Sequence, residues 1–186
     1  MIAQTMPDPG DFTCAETLRN GLAVTIRGMH PDDRDKVAAA IGKLDQESVY
    51  SRLFSNRREL TAAGLDRVMT VDPGHDVALL VTRGSGAEEI VIGSGRYVAA
   101  GEPDAERTAE VAFVVDESHR GLGIAGRLLH HLAEIARRRG IVAFEADVLA
   151  GNRAMLGVFS HSGLAMRQRR DGDVVHITLS LQPNQP

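Results

Sequence analysis

The sequence has no tryptophan, two tyrosines and five phenylalanines, an aromatic share of only 4%. So few aromatics give no platform for stacking bases, which argues against a single-stranded nucleic-acid binder. They also restrict any phenolic proton donor to Tyr50 and Tyr97. The single cysteine, Cys14, excludes an internal disulfide framework and any zinc site built from several thiolates. It reads as an incidental thiol of a reducing compartment. No apolar run approaches the roughly 20 residues of a membrane-spanning helix. The stretch Met1–Phe12 lacks the basic and apolar regions of a signal peptide, so the expected location is the cytoplasm. Lysine is scarce too: only Lys36 and Lys43 occur among 21 basic residues. The formal net charge of -4 gives no general pull toward nucleic acid or anionic membrane, and neither is expected as a partner.

What is present is ordinary globular material. Hydrophobic residues make up 43% and charged residues 25% of 186 positions, which suits a single domain. Residues 1–20, with Pro7, Pro9 and Gly10, predict a flexible leader, and residues 183–186 a tail. Between them, residues 21–182 predict one domain.

Periodicity divides that domain. Leu22–Ile26 reads as a strand. Helical spacing follows at Val37, Ala40, Ile41 and Leu44, then near Glu47–Phe54, and again from Thr61 to Met69 with Thr61 as N-cap. Val77–Val81, Ile90–Val98 and Thr108–Val115 predict an antiparallel meander. Ile124, Leu128, Leu132 and Ile135 form the apolar stripe of a helix that Gly140 ends. Strand Ile141–Leu149, a short helix over Asn152–Ser162, and a hairpin of Leu164–Arg170 and Val174–Leu181 complete the chain. The expected fold is α+β: a mixed, mostly antiparallel sheet with one parallel strand pair and helices on both faces.

The chemistry concentrates in residues 114–127. Three glycines, Gly121, Gly123 and Gly126, open the long helix, with Arg120 and Arg127 on either side. Free backbone N–H groups at the positive end of a helix dipole bind phosphate. Gly121-x-Gly123-x-x-Gly126 also matches the dinucleotide fingerprint, with the acidic Glu145 downstream. The polar insert Asp116–Arg120 between strand and first glycine, and the antiparallel hairpin that follows, count against that reading.

The same loop contains Arg120-x-x-Gly123-x-Ala125, which fits the pattern Q/R-x-x-G-x-G/A. At this point the chain resembles the GNAT superfamily of acyl-CoA-dependent N-acyltransferases, over roughly residues 22–181. Within it the sequence is most similar to the catalytic domains of Pat-type bacterial protein lysine acetyltransferases. The carrying stretches are Glu47–Phe54, Ala109-Glu-Val-Ala-Phe113, Asn152–Leu156 and Arg169–Val175. The resemblance implies a parallel pair splayed around an acyl-CoA site and acetyl-CoA as co-substrate, with no metal. The acceptor it implies is an amine, on a protein lysine or a small molecule. The backbone of Phe113, Val114 and Val115 would pair with the pantetheine arm. The loop Arg120, Gly121, Leu122, Gly123, Ile124, Ala125, Gly126 and Arg127 would hold the pyrophosphate. Asn152 would contact the CoA arm or simply cap its helix.

Amine acylation needs a base, and Glu110 is the leading candidate: it begins the strand that feeds the loop. The glutamate of the corresponding stretch is the base proposed in related enzymes. Tyr50, Glu145 and Asp147 are candidates for contact with the amine substrate. His130 and His131 read as a solvated helix face, since neither belongs to a zinc spacing. Many GNAT enzymes carry a tyrosine acid in the short last helix; Phe159 holds that position here. Three readings stay open: a protein lysine acetyltransferase, a small-amine acetyltransferase of antibiotic or polyamine type, and an acyl-CoA sensor without turnover. A monomer and a homodimer are both compatible with the sequence.

Overall fold

A computed structural model describes residues 9–43, 62–101 and 107–182. The strands are β1 (Thr13–Thr17), β2 (Ala23–Gly28), β3 (Asp76–Arg83), β4 (Ile90–Ala100), β5 (Arg107–Val115), β6 (Ile141–Leu149), β7 (Ala165–Asp171) and β8 (Val174–Ser180). The described helices are α1 (Arg34–Ile41), α2 (Ala62–Met69), α3 (Ile124–Arg138) and α4 (Arg153–Ser160). All eight described strands join one sheet in the order β1-β2-β3-β4-β5-β6-β8-β7. Every neighbouring pair is antiparallel except β5–β6. The α+β class, the meander and the single parallel pair are as the sequence predicts.

β3 lies deep in the sheet and is buried from Asp76 to Thr82, which its unbroken apolar run anticipates. Its residues split between two cores. Val77, Leu79 and Val81 face α3, whose Ile124, Leu128, Leu129 and Leu132 are each at most 2% exposed. Leu80 faces the other way, with Val37 of α1, Leu65 of α2 and Val91 of β4. Helices therefore cover both faces. α3 comes close because β4 has glycines beneath it. A Cβ on Gly93 would stand 2.9 Å from Ile124 Cγ2, and one on Gly95 would stand 3.1 Å from Leu132 Cδ1.

The expectation of a flexible leader over residues 1–20 is corrected for its second half. Thr13–Thr17 pair with Ala23–Arg27 as the edge strand β1, and Leu18 is buried. The strand is small and polar, so its alternation carries little apolar signal; pairing with β2 orders it. The helix expected near Glu47–Phe54, the cap Thr61 and Tyr50 lie outside the described residues.

Candidate active site

β5 and β6 run in register only as far as Glu110 and Glu145. Beyond that pair they diverge, while β5 stays bonded to β4 and β6 to β8. The Asp116 N–H donates to Ile92 O on the β4 side. Strand alternation then turns the backbone N–H groups of Val111, Phe113 and Val115 toward β6 and into the opening. A cleft of about 40 Å³ lies there, lined by Glu110, Ala112, Phe113, Asp147, Asn152 and Phe159 among others. Its inner wall is apolar. Phe113 and Phe159 meet with ring centroids 6.2 Å apart, and both are buried.

Alternation assigns the two faces of β5. Odd positions from Arg107 to Val115 are buried toward α3, while Glu110 and Ala112 are exposed on the opposite face. Glu110 makes no hydrogen bond or ion pair with any described residue. Its register neighbours are Val98 on β4 and Glu145 on β6. On this same face, Val98, Ala112, Val114 and Arg96 line a larger cavity of about 330 Å³, roofed by Val37, Ala40 and Ile41 of α1 and Val68 of α2. Arg96 helps to shape it. Its guanidinium donates to the carbonyls of Arg67, Val68 and Thr70 at the end of α2, and pairs with buried Asp76.

The glycine loop leaves the top of β5. Asp116 accepts from the Ser118 backbone N–H at 2.9 Å and faces His119 Nδ1 at 3.1 Å. The Ser118 hydroxyl hydrogen bond, helped by His119, holds the Asp116 carboxyl below its ordinary value. Gly121 and Gly123 take left-handed φ values of 74° and 91°, which other residues adopt only at a cost. Gly123 is the N-cap of α3, and no side chain caps it. The first amides of the helix are therefore unserved by side chains and point outward, as an anion site requires.

The structure gives the arginines of this loop protein partners. Arg127, expected at the phosphates, is held by the N-terminal strand. Its Nε lies 3.2 Å from Glu16 Oε2, and its Nη2 donates to Thr17 O at 2.5 Å. Arg120 lies 3.5 Å from Glu117. Arg19, absent from the sequence expectation, also reaches the loop. Its backbone N–H donates to Leu122 O at 3.3 Å, and its Nη1 lies 3.5 Å from Gly121 O. Nothing local could have signalled this, because Arg19 and Gly121 are 102 residues apart.

The remaining candidates fall as follows. Leu122 is partly buried, Ile124 and Ala125 are buried in the first turn of α3, and Gly126 is exposed. The Asn152 side-chain oxygen caps α4 by accepting from the Met155 N–H at 3.1 Å, and Asn152 also lines the cleft. Asp147 lines the cleft and meets His176 Nδ1 at 2.5 Å. Glu145 opens onto a polar groove with Arg167, Arg169, His176 and Thr178. Tyr97 is 1% exposed on the α3 side, against Phe144 and on the face opposite Glu110. It cannot serve the cleft. His131 is not a solvated residue, since it pairs with Glu16 and stacks near Phe12.

A model of the Acetyltransferase (GNAT) family matches residues 49–164. The chain belongs to this family. It is therefore an acyltransferase. It is 30% identical over 140 residues to an acetyltransferase of Pseudomonas aeruginosa, covering 75% of this chain and 74% of that protein. It is 30% identical over 166 residues to the acetyltransferase Pat of Mycolicibacterium smegmatis, covering 89% of this chain but 48% of Pat. The crystal structure of the GNAT domain of S. lividans PAT superposes with a TM-score of 0.80 at 31% identity, covering 90% of this chain and 96% of that domain. Among the described residues, no helix is long and apolar enough to cross a membrane.

Proposed function

We propose that this GNAT protein transfers an acetyl group from acetyl-CoA directly to a primary amine, a protein lysine, with Glu110 as general base. The observation that carries the reading is the position of Glu110. It is exposed, and unpaired among the described residues, where the parallel ladder ends, at the mouth of the cleft and beside the wall of the larger cavity. A mere acyl-CoA sensor would need no carboxylate at this point.

Acetyl-CoA fits the residues present. The uncapped start of α3, with Gly121, Gly123 and Arg19, suits the pyrophosphate, and the amides turned toward β6 suit the pantetheine arm. In the reaction Glu110 takes the ammonium proton, directly or through a water. The amine nitrogen then bonds to the thioester carbon, and a backbone N–H of β5 stabilises the oxyanion. The nitrogen gives its second proton to solvent, the C–S bond breaks, and CoA leaves as thiolate. Phe159 offers that thiolate no proton, so solvent supplies it.

A lysine side chain is an extended primary amine that can enter from the exposed face of β5. The resemblance to Pat-type protein lysine acetyltransferases supports this acceptor, and Pat of M. smegmatis and the S. lividans PAT domain are among the similar proteins. The apolar lining of the larger cavity favours a second reading, a small amine with a hydrophobic body. Thiol release from acetyl-CoA against lysine peptides, folded proteins and small amines tests both. Turnover with proteins and peptides supports the first reading. Turnover confined to small amines replaces it with the second.

A further inference from the structure

Away from the acyl cleft, β1 and α3 bring together the only cysteine of the chain, a glutamate and a histidine. Cys14 and Glu16 are two positions apart on β1, so they share one face of it. His131 comes from the middle of α3. One ligand atom from each, the thiol sulfur, a carboxylate oxygen and a ring nitrogen, lies within 4.8 Å of the other two. We propose that Cys14, Glu16 and His131 form a binding site for a divalent transition-metal cation of the zinc class, separate from the acyl-transfer site.

Three features of the cluster support it. The first is spacing. A tetrahedral ion with bonds of about 2.0–2.3 Å holds its donors about 3.5 Å apart, so these side chains need only small adjustments. The second is orientation. His131 Nε2 lies 2.9 Å from Glu16 Oε1, while Arg127 holds Oε2, so the two carboxylate oxygens already have different tasks. The Phe12 ring, 5.3 Å from that of His131, fixes the imidazole from its side. The third is setting. All three residues are half-buried, dry enough to favour coordination and open enough to admit an ion and a water as fourth ligand.

The charge works as well. Arg127 Nε takes one oxygen of Glu16 at 3.2 Å and leaves the other, 2.9 Å from His131 Nε2, on the side of the cluster. The Arg127 charge opposes binding, but carboxylate and thiolate together outnumber it. A sulfur, a nitrogen and one oxygen suit zinc or cobalt and poorly suit magnesium, which prefers oxygen throughout. Binding forms three coordinate bonds, sends the thiol proton to solvent and takes the Nε2 proton of His131 to solvent or to Nδ1, with no change of oxidation state. A merely structural Glu16–His131 pair would leave the Cys14 thiol idle, and the test exploits that difference.

The full chain is titrated with Zn²⁺, Co²⁺ and Mg²⁺. The expected results are one Zn²⁺ per chain, no Mg²⁺, and a Co²⁺ complex with thiolate-to-cobalt charge-transfer absorption and tetrahedral visible bands. Cys14→Ser should abolish that absorption, and Cys14→Ser and His131→Gln should each weaken Zn²⁺ by at least about tenfold. Zn²⁺ should also slow alkylation of Cys14 by iodoacetamide in the unmutated protein, a readout that needs no variant to fold. Absence of one-to-one Zn²⁺ binding, a cobalt complex without the thiolate absorption, or alkylation indifferent to Zn²⁺ would each overturn the proposal.

Discussion

Glu110 and Glu145 are the last register pair of the parallel ladder, and their strands part immediately beyond them. Two carboxylates thus stand side by side on one sheet face, but only Glu110 lines the acyl cleft. Glu110→Gln is expected to keep its affinity for acetyl-CoA and to lower kcat by about 10²–10⁴ near neutral pH. Glu145→Gln should retain most turnover. Calorimetry and thiol release measure the two quantities, and full activity in Glu110→Gln would remove it as the base.

Arg19 approaches the glycine loop from the β1–β2 connection. Arg19→Gln should raise the KM for acetyl-CoA about tenfold, the scale of one charge-assisted hydrogen bond, with little change in kcat. The difference should shrink as salt is added, because the site is exposed. An unchanged KM at low salt would separate Arg19 from the phosphates.

Gly123 combines φ of 91° with a crowded Cβ position, 2.7 Å from Arg127 Nη1. Gly123→Ala should cost about 1–2 kcal/mol through backbone strain, read from urea unfolding. It should also weaken acetyl-CoA binding. Gly126→Ala meets nothing within 4 Å and lies inside α3, so it should be neutral or slightly stabilising.

Acid should weaken the protein through Glu89. This carboxylate accepts from Arg27 Nε at 3.1 Å and Lys36 Nζ at 2.5 Å, and its side chain is 15% exposed. Hydrogen bonds from Arg27, then Lys36, outweigh burial and lower it from the ordinary 4.5 to about 2. A depressed carboxylate stabilises the fold fully above about pH 4.5, and the gain is lost as pH falls toward 2. Glu89→Gln should cost on the order of 2 kcal/mol at neutral pH. The gap between its urea midpoint and that of the unmutated protein should close across this acid range. A gap independent of pH would exclude the ionic contribution.

The strand, glycine loop and helix at residues 107–138 were legible because several local signals agree there. Alternation ends at Val115, glycines follow, and a four-residue stripe begins at Ile124. Those signals also carried Glu110 and the loop. Long-range placement carried the rest. β1 has no large apolar residue to announce it, so Cys14 and Glu16 looked like leader residues, and Arg19 with them, although β2 pairs with the first two and the glycine loop holds the third. The contact of Arg127 with Glu16 was equally hidden, since Glu16 lies 111 residues away. Tyr97 could be placed only with the register of β4 on β5, where it stands opposite Val111 rather than Glu110.

Tyr97 also gives the molecule an internal optical clock. Burial pushes its phenol above the ordinary 10.0, with Arg139 and then Arg107 partly opposing the shift. The unfolded chain therefore releases this proton at lower pH than the folded one, and alkali above about pH 10 draws the equilibrium toward unfolding. With no tryptophan to mask it, and with Tyr50→Phe removing the other phenol, the ultraviolet phenolate band becomes a direct count of opened cores. Its rate of appearance after a jump in pH would report how often Tyr97 and Phe144 come apart.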